Sequence, residues 1–114
     1  MKVQQYEIWL ADLNPGMGTE PGKVRPVVII QTNALNKVHP STIICPVTTN
    51  VQLKAKILRV NLKKGEAGVK MDCDIMIDQL RAIDNKRLLK RTGLLSQQKI
   101  KMLTDNLKIV LDLF

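Results

Sequence analysis

The chain predicts a mainly antiparallel β domain followed by a C-terminal helix. Three observations carry this: short apolar or alternating runs recur from Glu7 onward, turn residues separate them, and the period becomes helical near the end. With 114 residues, 45% of them apolar, the chain fits one domain over residues 1–114 with a genuine core.

Glu7–Leu13 reads as the first strand, ended by the turn residues Asn14-Pro15-Gly16-Met17-Gly18. Val27–Gln31 is the second, and its unbroken β-branched apolarity implies burial on both faces. One short helical turn is expected within Thr32–His39, then a third strand over Thr42–Thr48. The polar, basic segment Asn50–Lys56 is a candidate mobile flap, and Ile57–Leu62 alternates as a half-exposed fourth strand. Lys63–Gly68 is a turn, Cys73–Ile77 a fifth strand and Leu80–Ile83 a short sixth.

Beyond Asp84 the period changes. Asn85–Arg91 reads as a short helix broken by Thr92-Gly93, and Ser96 is a fitting N-cap for a helix running to about Phe114. Ile100, Leu103, Leu107, Val110, Leu111 and Phe114 share one face of that helix, which would be about 28 Å long and would dock on the sheet. Met102, Ile109 and Leu113 widen the stripe, either as core or as contacts to a second subunit.

The formal net charge of +8 favours an anionic partner, because neutralising phosphates releases counterions. No stretch approaches the roughly 20 apolar residues of a membrane span, and the N-terminus lacks a signal-peptide pattern, so a soluble cytoplasmic protein without membrane contact is expected. Cys45 and Cys73 form no CxxC pair and His39 is the sole histidine, so neither a metal site nor a disulfide is indicated, and both cysteines are expected in the core. Only Tyr6, Trp9 and Phe114 are aromatic, too few for a base-stacking platform.

Within Gly22-Lys23-Val24-Arg25-Pro26-Val27-Val28-Ile29-Ile30 an always-charged guanidinium directly precedes an apolar run. Pro26 biases Arg25 toward an extended conformation, which sets its side chain at the mouth of a strand, available to an anion. A second apolar run breaks into hydroxyls and an amide at Pro46-Val47-Thr48-Thr49-Asn50. Strands ending in Arg and Thr suit a phosphate. The plainer reading makes Arg25 a surface charge paired with Glu20 or Asp12.

Five blocks in this order resemble the MazF/PemK family of toxin endoribonucleases: Glu7-Ile8-Trp9-Leu10-Ala11-Asp12-Leu13-Asn14-Pro15, Gly18-Thr19-Glu20, Val24–Ile30, Pro46–Thr49 and Asp78-Gln79-Leu80-Arg81-Ala82-Ile83-Asp84. The resemblance implies an SH3-like antiparallel β-barrel with short helices and a C-terminal α-helix, assembled as a homodimer. It also implies cleavage of single-stranded RNA without metal or cofactor, arrest of translation, and neutralisation by a cognate acidic antitoxin. Arg25 matches the family's active-site arginine and Thr48 its active-site Thr/Ser, while Glu20 matches an acidic loop position that is a candidate base or an orienting partner for Arg25. Thr19, Thr49, Asp78, Gln79 and Arg81 fall in the matching blocks, and Asn50 directly follows one; these are RNA-binding candidates, with Lys54 and Lys56 beyond them. The plasmid-borne PemK-like branch places His at Thr19 and Arg at Met76, beside the aspartate matching Asp78, so that branch's acid and base assignments do not carry over. The usual Gly before the first strand's acidic residue is Tyr6 here.

Lys54, Lys56, Arg59, Lys63, Lys64 and Lys70 form a basic segment suited to RNA phosphates, with a solvated surface as the alternative. Lys86, Arg87, Lys90, Arg91, Lys99 and Lys101 read instead as surface solubility or antitoxin contact. Two other functions suit the same scaffold: a CcdB-like toxin that traps gyrase without catalysis, and a barrel that binds nucleic acid without cutting it.

Overall fold

The computed structural model describes residues 2–113. Seven strands and two helices follow one another as β1 (Glu7–Asp12), β2 (Val24–Ile29), α1 (Asn33–Asn36), β3 (Ser41–Thr48), β4 (Arg59–Leu62), β5 (Cys73–Met76), β6 (Arg81–Asp84), β7 (Leu88–Leu94) and α2 (Gln97–Val110). Single 3₁₀ turns lie at Glu66–Gly68, Ile77–Gln79 and Asn85–Arg87.

All pairings are antiparallel, in the order β4-β5-β3-β2-β1-β7, with β6 also on β3. The long β3 changes partner along one edge, pairing β6 through Ser41–Ile44 and β5 through Val47 and Thr48. Among the described residues β4 and β7 do not pair, so the sheet is not closed into a hydrogen-bonded barrel. The 3₁₀ turn Glu66–Gly68 abuts β7 instead. There an ideal Cβ on Gly93 would sit 1.8 Å from the Ala67 carbonyl oxygen, and one on Gly68, at φ +80°, 2.1 Å from that of Thr92. Only two glycines permit that approach.

As expected, Val27, Val28 and Ile29 are fully buried. Ile8, Val28, Cys45, Ile75 and Leu103 belong to the core between sheet and α2, while Trp9, Val27, Ile29 and Ile44 belong to a second core on the opposite face. Cys45 and Cys73 are free and buried.

The chief departure is β7, where a short helix and a break were expected. Buried Leu88 and Leu95 pin the ends of a strand whose backbone satisfies the otherwise open edge of β1. Residues Ile57 and Leu58 precede β4, which starts at Arg59. The 50–56 segment is tethered, with Gln52 N donating to Asp74 Oδ2 at 2.7 Å and Asn106 Nδ2 to the Lys56 carbonyl at 3.0 Å. Tyr6, at the position usual for glycine, has φ +70°, the left-handed conformation glycine adopts most easily.

Helix α2 is 14 residues long, about 21 Å, and its Ser96 cap accepts from Lys99 N at 3.3 Å. Leu103 and Leu107 are buried, and Ile100 and Val110 pack beside them. Leu111 lies past the last helical residue and is exposed, as are Met102, Ile109 and Leu113, so these do not widen the core face. Phe114 lies outside the described residues. Lys99 is a structural tie, its Nζ donating to the Asn61 carbonyl at 2.7 Å, rather than a solvated surface charge. Arg87 is another, donating from Nη1 to the carbonyls of Asp12 and Asn14 at 3.0 and 2.7 Å.

Candidate active site

A cleft of about 800 Å³ opens where the inner face of the sheet runs past its core. Cross-strand register aligns Leu10 with Pro26 and with Lys90, so β1 forms a floor between β2 and β7. The end of β3, Val47 and Thr48, closes one side, and Gly68–Met71 closes another.

Arg25 lines this cleft at the start of β2. Its Nε donates to the Gly22 carbonyl at 2.8 Å and its Nη1 to the Val47 carbonyl at 3.3 Å. Those bonds restrain the guanidinium while leaving N–H donors free for an anion. Burial lowers its pKa, but an arginine remains a cation at neutral pH. Among the described residues no carboxylate pairs with it within 4.0 Å, so its charge is not neutralised by the protein. The partner expected for it, Glu20, faces Arg81 at 3.7 Å instead.

The β2–β3 register aligns Val27 with Pro46 and Val28 with Cys45. Past that register Arg25 and Thr48 both line the cleft, and the Arg25 bond to the Val47 carbonyl brings the guanidinium to the residue beside Thr48. The Thr48 Oγ1 accepts from Asn50 N at 3.1 Å, which leaves the hydroxyl hydrogen free to donate. Thr49 and Asn50 also line the cleft.

The remaining expected site residues lie elsewhere. Thr19, Glu20, Lys54, Lys56, Asp78, Gln79 and Arg81 are not part of the cleft lining. Lys54 and Lys56 are exposed on the tethered loop, and Thr19 and Glu20 are exposed in the loop before β2.

Lys23, Lys70, Lys90 and Arg91 take up the cationic role alongside Arg25, and no Asp or Glu is among the lining residues. Lys90 and Arg91 therefore belong to the cleft, where solubility or partner contact had been expected of them. The local signal was the segment Leu88-Leu89-Lys90-Arg91-Thr92-Gly93-Leu94-Leu95, whose apolar pairs at both ends fit a strand pinned at its termini better than a helical period. Arg91 is half-exposed and its Nε meets the buried carboxylate of Glu7 at 2.5 Å. Glu7 also accepts from Trp9 Nε1 at 3.1 Å. Cys73 lines the cleft as an inert thiol, since burial, and then the charges of Asp74, Asp72 and Glu66, push its pKa up to about 11.

The family model for "PemK-like, MazF-like toxin of type II toxin-antitoxin system" matches residues 4–111. The chain belongs to this toxin family. It is 38% identical over 112 residues to the endoribonuclease MazF of Staphylococcus epidermidis, a match covering 97% of this chain and 92% of the relative. The fold matches MazF from Deinococcus radiodurans with a TM-score of 0.83 at 21% identity, covering 98% of each chain. It also matches a MazE–MazF structure from the same organism with a TM-score of 0.79 at 20% identity, covering 100% of this chain and 99% of the other. The family's β sheet with a C-terminal helix is thus shared across nearly the whole chain. Among the described residues no helix is long and apolar enough to cross a membrane.

Proposed function

We propose that this toxin-family chain is an endoribonuclease that cuts single-stranded RNA at a short sequence, with no metal in the chemistry, and so arrests translation. The observation that carries the reading is an Arg25 that no carboxylate of the described residues pairs with, tied to the carbonyl beside Thr48, in a cleft whose described lining holds five cationic side chains and no Asp or Glu. The S. epidermidis relative's name supports the activity.

The ribose 2′-oxygen attacks the adjacent phosphorus, and the bond from phosphorus to the 5′-oxygen breaks. The products are a 2′,3′-cyclic phosphate and a 5′-hydroxyl. The 2′-hydroxyl loses its proton, and the departing 5′-oxygen gains one. Because the substrate brings its own nucleophile, the protein's work is alignment and charge stabilisation. Arg25 gives parallel hydrogen bonds to the nonbridging oxygens, and Thr48 donates its hydroxyl to the same phosphate. Lys23, Lys70, Lys90 and Arg91 hold flanking phosphates. Glu20, exposed and facing Arg81, is a loop-positioning group in this account rather than the base.

The chain acts as a homodimer, with exposed Met102, Ile109 and Leu113 supplying apolar surface. A cognate acidic antitoxin binds over the cationic cleft, a pairing supported by the MazE–MazF structure it resembles. The test is incubation of the protein with long mixed-sequence RNA in EDTA, beside Arg25→Ala and Thr48→Ala, with cut positions mapped. Cuts at one short motif, lost in both variants, are expected. Intact RNA with folded dimeric protein would overturn the reading and turn attention to a protein target such as gyrase.

A further inference from the structure

Behind Thr48 lies a polar network anchored on a buried carboxylate that is not part of the cleft lining. Asp74 is opposite Thr48 in the β3–β5 register and is fully buried. Its Oδ2 accepts from Gln52 N at 2.7 Å and from Arg59 Nη1 at 3.2 Å, and its Oδ1 accepts from Asn61 Nδ2 at 3.0 Å. The same Arg59 Nη1 donates to the Asn50 carbonyl at 3.0 Å. Asn50 N, in turn, occupies a lone pair on Thr48 Oγ1 at 3.1 Å.

Each link constrains the next. Asp74 fixes Arg59, Arg59 fixes the Asn50 residue, and the Asn50 N–H takes one acceptor site of the hydroxyl. A hydroxyl that accepts on one side donates in a direction set by its remaining geometry. A buried carboxylate with three donors is costly to break, which makes it a stiff anchor for an exposed loop. A purely structural role would need the Asp74 contacts to the sheet alone, whereas the Arg59 bond extends the network to the residue that touches Thr48.

We propose that Arg59 and Asp74 are positioning residues for the cleavage reaction, acting through Asn50 to aim the Thr48 hydroxyl at the scissile phosphate. This rests on the assignment of Thr48 as a phosphate donor. Neither residue touches RNA.

The test is a double-mutant cycle in single-turnover cleavage of a defined RNA, with folding checked by thermal melting at the assay temperature. Arg59→Gln should lower kcat ten- to a hundredfold, the scale of a small misplacement, with KM changed less than twofold. Thr48→Ala should lose about a hundredfold, and adding Arg59→Gln to it should cost nothing further, because the group being aimed is gone. Arg59→Gln in the Thr48→Ser background, which keeps a hydroxyl, should restore the full Arg59 effect. Asp74→Asn, isosteric with the carboxylate, is the second variant and should repeat the pattern if Arg59→Gln does not fold. Multiplicative losses in the Thr48→Ala background, or a loss confined to KM, would overturn the positioning role. A fully active Thr48→Ala would overturn the underlying assignment of Thr48 instead.

Discussion

Arg25 Nη1 donates to the carbonyl of Val47, the residue immediately before Thr48, at 3.3 Å. A guanidinium on β2 is thereby fixed to the strand end that presents the hydroxyl. The two groups are held as one unit by main-chain geometry, before any substrate is present.

Arg25→Lys should therefore fail nearly as fully as Arg25→Ala. One ammonium cannot span Gly22 and Val47 and still offer a planar pair of donors. Loss of a placed donor costs about two to three decades in rate. Single-turnover cleavage with both variants measures this, and a Lys variant within tenfold of wild type would contradict it.

The pH profile should show no carboxylate or imidazole inflection. Among the described residues no Asp, Glu or His lines the cleft, and the Cys73 thiol is pushed up to about 11. Log kcat/KM is expected to rise smoothly between about pH 4 and 8.5, a window that spans the ordinary Glu and His ranges. Glu20→Gln should leave both the profile and the rate within about threefold of wild type. An inflection abolished by Glu20→Gln would restore Glu20 as the base.

Removing a cleft cation should change the salt dependence of RNA binding. Each lost phosphate contact lowers the slope of log K against log salt by about 0.7 for a single strand. Lys90→Ala is expected to do so, because Lys90 lines the cleft beside Leu10. Lys54→Ala, on the exposed loop, should leave the slope unchanged. Equal slopes for the two variants would argue that Lys90 makes no phosphate contact.

Gly93→Ala should destabilise the fold by about 3 kcal/mol or more, in the range of severe core overpacking. The added methyl would meet the Ala67 carbonyl oxygen at 1.8 Å, and both contact partners are backbone. Urea unfolding would read the midpoint shift. A change under about 1 kcal/mol would mean that the turn and β7 separate easily.

Stability should fall on the alkaline side through Cys45. Burial, and then the charge of Asp78, push its thiol up to about 12 in the fold from an ordinary value of 9.0. Its contribution is complete below pH 9 and is lost as the pH rises toward 12, because the unfolded chain ionises first. Urea midpoints for wild type and Cys45→Ala should converge between about pH 8 and 10.5. Parallel midpoints would show that the thiol is not shielded.

Much of this was readable in the residues, and the exceptions share a cause. The apolar run Val27–Ile29 and the Ser96 cap carry local signals strong enough to locate β2 and α2. Arg25 before Pro26 and Thr48 after an apolar strand are visible as strand-end polar groups, and the shared cleft and the Arg25 bond to the Val47 carbonyl bring them together. Strand β7 carries only the apolar pairs at its two ends as a local signal, and it forms because β1 offers a free edge, a tertiary demand stronger than that signal. Lys90 and Arg91 reach the cleft only through that strand. The Arg81 partner of Glu20 and the Asp74–Arg59–Asn50 chain likewise join distant segments, so spacing along the sequence could not reveal them.

The most direct measurement of the central claim uses a short RNA containing the cut motif and its twin with one 2′-deoxynucleotide on the 5′ side of the scissile phosphate. Cleavage is followed in EDTA, and product ends are weighed by mass spectrometry. The account predicts a 2′,3′-cyclic phosphate and a 5′-hydroxyl from the all-ribose strand, and no cutting of the deoxy twin although it still binds. Cleavage of the twin, or products with a 3′-hydroxyl and a 5′-phosphate, would show that water rather than the ribose is the nucleophile and would contradict it.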